Sequence, residues 1–205
     1  MPRIDDYKAA KEIAAQKVSN RPLSEILEAT GFEVSADGQI RIPFLDRTFL
    51  VDFPGLTFKD QQDPSSEVPV QEQVLILHYM VPESIPAPSG KWIAYREIPG
   101  AAFYFSAFVK RAIEPLKKVF GQNPAGLVKA ANVLDGKKIS PGDAAFEFAI
   151  LPKVPLQVIL WAGDEEFPAE ANILFDQTIG DILSPEDAAW LAGMLVYRLI
   201  SISYR

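Results

Sequence analysis

The chain has 205 residues, of which 48% are hydrophobic and 23% charged, and its formal net charge at pH 7 is −7. A chain of this length and composition buries a sizeable core without disulfides or metals, and we expect one domain. The absence of cysteine excludes a disulfide framework, a thiolate nucleophile and any iron-sulfur cluster ligated by this chain. The negative charge argues against nucleic-acid binding, which depends on Lys and Arg contacts to phosphates.

Neither a secretory leader nor a membrane span is expected. The N-terminal segment MPRIDDYKAAKEIAAQ carries charges where a signal peptide has its apolar stretch. No segment reaches the roughly 18 uninterrupted apolar residues that a transmembrane helix needs. We therefore expect a cytoplasmic protein that has neither a membrane nor a nucleic acid as its partner.

The beginning of the chain predicts a helical cap. Good helix formers fill residues 4–18. A second helix begins at Pro22, because proline is favourable in a first turn, and ends at Gly31, because glycine tolerates positive φ. We therefore divide the single domain into a helical cap, 1–31, and a core, 32–205.

An antiparallel meander follows the cap. The pair Asp37-Gly38 is a strong hairpin signal between two extended segments, and Pro54-Gly55 marks another turn. We predict strands at 32–34, 39–43, 47–53 and 56–59.

The next segment predicts a helix that contains the only histidine. Ser65 or Ser66 can cap this helix, with Pro69 in its first turn. Apolar residues at helical spacing share one face of it: Val70, Val74, Leu77 and Val81. Any histidine general base must be His78, yet a histidine in so apolar a run is more often a hydrogen-bonded core residue.

The second half begins with a strand at 92–98 and helices at 103–120 and 124–134. The C-terminal helix has clear start signals, because Ser184 is a good N-cap and Pro185 suits the first helical position. This helix is apolar nearly all round, which predicts that it is buried, either inside the molecule or across a dimer axis.

Two strands and an acidic corner lie between these helices. Phe146, Phe148 and Ile150 alternate with smaller or polar residues, which is typical of a strand with one buried face. The near-continuous apolar run 156–161 predicts a strand covered on both faces, and this strand leads directly into an acidic stretch. The fold class is therefore α+β, with an antiparallel or mixed sheet packed against several helices, an N-terminal helical cap and a buried C-terminal helix.

The acidic stretch provides the candidate site residues. Carboxylates there can ligate Mg²⁺, Mn²⁺ or Ca²⁺, or act as a general acid and base, and the candidate metal ligands are Asp143, Asp164, Glu166 and Asp176. The structural alternative is that Asp164 accepts backbone hydrogen bonds in a turn, while Asp143 and Asp176 cap neighbouring elements. The candidate ligand- or partner-binding residues are Asp164, Glu165, Glu166, Trp161, Trp92, Arg96 and His78. Trp92 and Trp161 can line a pocket for a planar ligand or belong to an aromatic core.

The same region carries a resemblance. The stretch LPKVPLQVILWAGDEEFPAEANILFD, preceded by GDAA at 142–145, by LILHYM and by WIAYRE at 92–97, resembles the prokaryotic family of domains of unknown function DUF3786 over most of the chain after about residue 30. The resemblance implies a shared fold. It also implies that some relatives carry cysteine-rich iron-sulfur segments and occur in anaerobes, whereas this chain lacks cysteine. The residues that match the family pattern are Asp143, Trp161, Gly163, Asp164, Glu165, Glu166, Phe175 and Asp176.

Three functions are compatible with these observations. The leading hypothesis is a binding or accessory module that recognises a small molecule or a protein partner between the acidic stretch and strand 92–97, beside a redox or cofactor-dependent protein. The alternative is a divalent-metal-dependent hydrolase or transferase, in which Arg96 orients an anionic substrate. The third is a structural subunit with a large interface.

Overall fold

The computed structural model describes residues 4–205, which form helices and two antiparallel sheets, so the predicted α+β class is confirmed. The first three residues of the predicted cap lie outside the described residues. The described residues group into two compact units. One extends to Pro86 and includes Leu151–Lys153, and the other consists of Ala87–Ile150 and Val154–Arg205. The prediction of a single domain stays a prediction.

The first unit combines three helices with a four-stranded sheet. Its elements in chain order are α1 (Ile4–Ser19), α2 (Leu23–Thr30), β1 (Glu33–Val34), β2 (Ile40–Phe44), β3 (Arg47–Val51), β4 (Phe58–Asp60) and α3 (Val70–Met80). The strands pair in the order β1-β2-β3-β4, each antiparallel to the next, which confirms the predicted meander. Gly31 ends α2 in the left-handed conformation at φ 76°, and its N–H donates to the carbonyl of Leu27, as the sequence predicts.

Helix α3 differs from its prediction at its start and in its burial. Neither Ser65 nor Ser66 caps it, because the extended Pro69, at ψ 135°, precedes the first helical residue, Val70. Nearly every residue from Gln73 to Met80 is buried, rather than one stripe, because α3 packs against both α1 and α2. His78 lies in the last turn and is half-buried.

A buried tyrosine joins α2 to α3. The hydroxyl of Tyr79 donates to the carbonyl oxygen of Thr30 at 2.8 Å, and the whole side chain is inaccessible to solvent. Burial raises the pKa of Tyr79 well above its ordinary value, although a hydrogen bond from the backbone of Lys153 acts in the opposite direction. The Tyr79 hydroxyl is therefore protonated at neutral pH, and its hydrogen bond links α2 to α3 in the folded protein.

We expect Tyr79→Phe to reduce the free energy of unfolding by about 1–2 kcal/mol, because the carbonyl of Thr30 loses its buried donor. Because folding raises this pKa above 10.0, the hydroxyl's contribution is complete below pH 10.0 and is lost as the pH rises further. Denaturant unfolding at neutral and alkaline pH should therefore show that wild type and Tyr79→Phe converge above pH 10.0. The exposed Tyr197→Phe is the control, and an equal loss in both variants would contradict the assignment.

The second unit contains a five-stranded sheet and the long C-terminal helix. Its elements in chain order are β5 (Trp92–Ala94), α4 (Phe105–Phe108), α5 (Glu114–Phe120), α6 (Pro124–Val133), β6 (Lys137–Lys138), β7 (Ala144–Leu151, whose last residue groups with the first unit), β8 (Val154–Trp161), β9 (Glu170–Asp176), α7 (Ile179–Ile182) and α8 (Pro185–Ser203). The strand order is β5-β9-β8-β7-β6. Strand β9, which the sequence did not predict, lies between the two predicted strands β5 and β8.

Two elements of this unit are more irregular than predicted. Strand β5 stops at Ala94 instead of 98, because the carboxylate of Glu97 accepts the Ala94 N–H at 2.7 Å and closes a 3₁₀ turn at Tyr95–Glu97. The helix predicted at 103–120 contains a π-helical segment, Val109–Ile113, between α4 and α5. Such segments occur frequently at functional sites.

Helix α8 begins as the sequence predicts and is largely buried. Ser184 caps it by accepting the N–H of Asp187 at 3.1 Å. The hydroxyl of Tyr95 donates to the carbonyl of Pro185 at 2.7 Å, and its ring stacks on Phe108 at 4.3 Å between centroids, so the start of α8 is tied to the aromatic core. Among the described residues, no helix has both the length and the apolar character that crossing a membrane requires.

Candidate interaction site at the acidic turn

The connection from β8 to β9, residues 162–169, forms a compact turn, called here the acidic turn. One carboxylate oxygen of Asp164 accepts the N–H of Glu166 at 2.8 Å and that of Phe167 at 2.7 Å. The backbone closes the same loop, since the Asp164 N–H donates to the carbonyl of Phe167 at 2.9 Å. The Asp164 side chain therefore stabilises the turn by accepting backbone hydrogen bonds from the residues that follow it, which is common for aspartate in turns.

The base of the acidic turn is held from two sides. The Gly163 N–H donates to the carbonyl of Gly121, just beyond α5, at 3.0 Å. A Cβ atom on Gly163 would lie 2.7 Å from both the Ala169 nitrogen and the Gln122 side-chain nitrogen, so only glycine fits there. On the other side, the Asp143 carboxylate accepts the Ala162 N–H at 2.7 Å. These contacts limit the motion of the turn relative to its sheet.

The outer face of the acidic turn combines negative charge with aromatic surface. Glu165 and Glu166 are exposed. The backbone N–H groups of Phe167 and then Glu166 hold the pKa of Asp164 below its ordinary value, so this carboxyl is ionised at neutral pH. Phe167 is 68% exposed and Trp161, the last residue of β8, is 41% exposed. Charged residues on a surface are ordinary, but two large exposed aromatic side chains beside them are unusual.

The structure does not bring the four proposed metal ligands together. Trp161 pairs with Glu170 at one end of β9, whereas Asp176 is the last residue at the other end. Six residues of extended strand separate the acidic turn from Asp176, about 20 Å at the usual rise per residue. Within residues 4–205, no group of three or more histidine or acidic side chains is arranged to hold a metal ion.

Asp176 makes a dense set of hydrogen bonds instead. Its carboxylate accepts the N–H and hydroxyl of Ser89 at 3.0 Å each, the Gly90 N–H at 2.8 Å, and the N–H and hydroxyl of Thr178 at 3.0 and 2.8 Å. Burial of the side chain alone would raise its pKa, but the hydrogen bonds from Thr178, Ser89 and Gly90 outweigh burial and lower it. The ionised carboxylate thus ties the segment before β5 to the end of β9.

The residues expected to line a pocket between the acidic turn and strand 92–97 lie at different positions along β9. Trp92 pairs with Asp176, so β5 begins at the opposite end of β9 from the turn. The Arg96 guanidinium lies over the Phe105 ring, 3.7 Å from its centroid. Glu165 and Glu166 lie in the acidic turn, and Trp161 is the strand residue that precedes it. His78 belongs to the first unit, whereas the other candidates belong to the second.

Two features of the acidic turn were not predicted from the sequence. One is the exposure of Phe167, although a lone aromatic residue between Glu166 and Pro168 in a polar connection is a signal for an exposed side chain. The contact between Gly163 and Gly121 joins residues that are far apart in sequence, and no local pattern predicts it.

The fold and the turn define an α+β protein that presents a rigid acidic and aromatic surface element. The chain belongs to the family described as Domain of unknown function (DUF3786), whose model matches residues 22–198. The match covers α2 through most of α8, including the acidic turn, and it confirms the resemblance seen in the sequence. No curated protein and no solved structure matches the chain.

Proposed function

We propose that this protein is a non-catalytic accessory module that recognises a protein partner through the acidic turn. The observation that supports the proposal is the exposure of Phe167 and Trp161 beside Glu165 and Glu166 on a turn fixed at its base. Aromatic anchors are enriched among residues that dominate binding energy, and neighbouring charges select the partner and speed association. A fixed turn also loses little conformational entropy on binding.

The charge of the acidic turn defines the chemistry of the partner. Three carboxylates at neutral pH favour a surface rich in Lys or Arg around an apolar pocket that accepts one aromatic side chain. The family resemblance favours a partner among proteins of anaerobic redox or cofactor metabolism. In that setting the partner performs the chemistry, and this chain, without cysteine, holds no iron-sulfur cluster of its own.

We expect Phe167→Ser and Glu166→Lys each to weaken partner binding at least about tenfold, without unfolding the protein, because both side chains are exposed. A photo-crosslinking amino acid at position 165 would capture the partner in cells, and mass spectrometry would identify it. Purified partner and variants would then give dissociation constants. Reversing the charge of Asp164 is less informative, because the Asp164 carboxylate also holds the turn together through its hydrogen bonds.

The matched controls lie outside the acidic turn in the same unit. Phe103→Ser removes a side chain that is 84% exposed, and Asp181→Lys reverses an exposed charge. Both should bind like wild type. The proposal is overturned if the turn variants bind as tightly as these controls, or if position 165 captures no protein and native mass spectrometry finds only a small molecule.

A further inference from the structure

A second surface of the same unit has the opposite character to the acidic turn. A groove of ≈ 420 Å³ lies between α8 and the helical segment that ends with α5, and we call it the basic groove. The α5 side contributes Lys110, Glu114 and Lys118 together with the half-buried Pro115 and Val119. The α8 side contributes Tyr197 and Tyr204, which are 58% and 78% exposed.

The positive charge of the basic groove is local. Residues 105–120 contain four basic residues and one acidic residue, Glu114, in a protein of net charge −7. Glu114 lies between Lys110 and Lys118 in sequence and lines the same groove, so the two ammonium groups outnumber the one carboxylate. Lys110 also lies in the π-helical segment Val109–Ile113. The groove therefore offers positive charge beside an apolar surface.

The acidic turn is chemically complementary to this groove. The turn presents three carboxylates with Phe167 and the adjoining Trp161, and the groove presents two ammonium groups and one carboxylate with tyrosine rings and aliphatic surface. Apolar surface on each side would be covered while opposite charges meet, which is the arrangement of a specific interface.

We propose that the acidic turn of one copy of this chain docks in the basic groove of a second copy. This inference rests on the proposed function, because it names the partner of the same turn. Both surfaces are attached to the same helix, since the Gly163 amide that anchors the turn donates to Gly121, one residue beyond α5. Each copy carries one turn and one groove, so two copies related by a two-fold axis make the contact twice.

The test is a charge-swap mixing experiment with purified full-length protein. We expect wild type to be dimeric at about 100 µM in low salt by analytical ultracentrifugation, and to dissociate as salt screens the contact. Glu166→Lys reverses the turn and Lys118→Glu reverses the groove. Each variant alone should dissociate at least about tenfold more readily than wild type, because like charges then meet in both contacts.

Mixing the two variants should restore association. In the mixed pair, one contact joins a wild-type turn to a wild-type groove. The other contact joins the reversed turn of the Glu166→Lys copy to the reversed groove of the Lys118→Glu copy, so both contacts are attractive. In the control mixture of Asp181→Lys and Lys118→Glu, Asp181→Lys should associate with itself as wild type does, and Lys118→Glu should remain largely dissociated. A monomeric wild type, or no recovery on mixing, overturns the inference.

The outcomes separate this inference from the proposed function. If wild type is monomeric but Glu166→Lys loses a photo-crosslinked partner of another sequence, the second copy is wrong and the proposed function stands. If Glu166→Lys changes neither association nor capture, both are wrong. If Glu166→Lys and Lys118→Glu both lose capture and the captured protein is this chain, both are supported.

Discussion

Asp176→Ala should be the most damaging single substitution of a charged residue in the second unit's sheet, with a loss of about 3–5 kcal/mol in the free energy of unfolding. The carboxylate accepts five hydrogen bonds, from Ser89, Gly90 and Thr178, and the residue is 2% exposed. Alanine removes an acceptor that five donors share, and it leaves the buried end of β9 without the carboxylate that ties it to Ser89, Gly90 and Thr178. The melting temperature should fall by roughly 10 °C, measured by calorimetry.

The pH dependence of the same residue provides an independent check. The folded-state pKa of Asp176 is lowered, so its contribution to stability is present above the ordinary value of 3.8 and is lost as the pH falls below it. Asp176→Asn keeps the shape and cannot titrate, but its NH₂ group would face the N–H of Gly90. The stability gap between wild type and Asp176→Asn should therefore narrow below pH 3.8.

The exposed Asp181→Ala is the control for both measurements, and it should change stability by less than about 0.5 kcal/mol. If Asp176→Ala is no more harmful than this control, the hydrogen-bond network does not stabilise the fold as the geometry indicates. If the gap between wild type and Asp176→Asn is constant with pH, the lowered pKa is wrong.

Elements whose signals are local could be predicted from the sequence. Gly31 ends α2 and Ser184 caps α8, because each acts within one turn of its own helix. The meander of the first unit was also predicted, because Asp37-Gly38 fixes a tight turn between neighbouring strands. These features depend on residues that are adjacent in sequence.

Strand β9 and the arrangement of the candidate site could not be predicted in this way. Its apolar part is only Ile173-Leu174-Phe175, too short for a clear period, and its extended form depends on pairing with β5 and β8. That pairing decides which carboxylates meet. Asp164 and Asp176 are twelve positions apart in the chain, yet an antiparallel strand carries them to opposite ends of the sheet.

The charge of the acidic turn is visible in the sequence, but the rest of its surface is not. The run Asp164-Glu165-Glu166 is visible in the sequence, whereas the support from Gly121 and Asp143 comes from other elements of the fold. The basic groove likewise combines α5 with α8, whose separation in sequence hides their common surface.

Gly142→Ala should have the second-largest effect, a loss of about 3 kcal/mol in the free energy of unfolding, for two physical reasons that act together. Gly142 has φ 70°, a conformation that costs any residue with a side chain about 1–2 kcal/mol. A Cβ atom there would also lie 2.5 Å from the carbonyl oxygen of Leu160, which is backbone and cannot rotate away. That carbonyl accepts the N–H of Asp143, so the clash reaches the anchor of the acidic turn.

Two other glycines separate the two causes. Gly38 has φ 81° with nothing near its missing Cβ, so Gly38→Ala should show only the conformational cost of about 1–2 kcal/mol. Gly55 has neither a positive φ nor a near neighbour, so Gly55→Ala should be close to neutral. Denaturant unfolding should show the largest loss in the free energy of unfolding for Gly142→Ala, a smaller loss for Gly38→Ala and the smallest for Gly55→Ala. An equal loss at 142 and 38 would show that the Leu160 contact relaxes freely, and Gly142→Ala would then leave the acidic turn intact for binding.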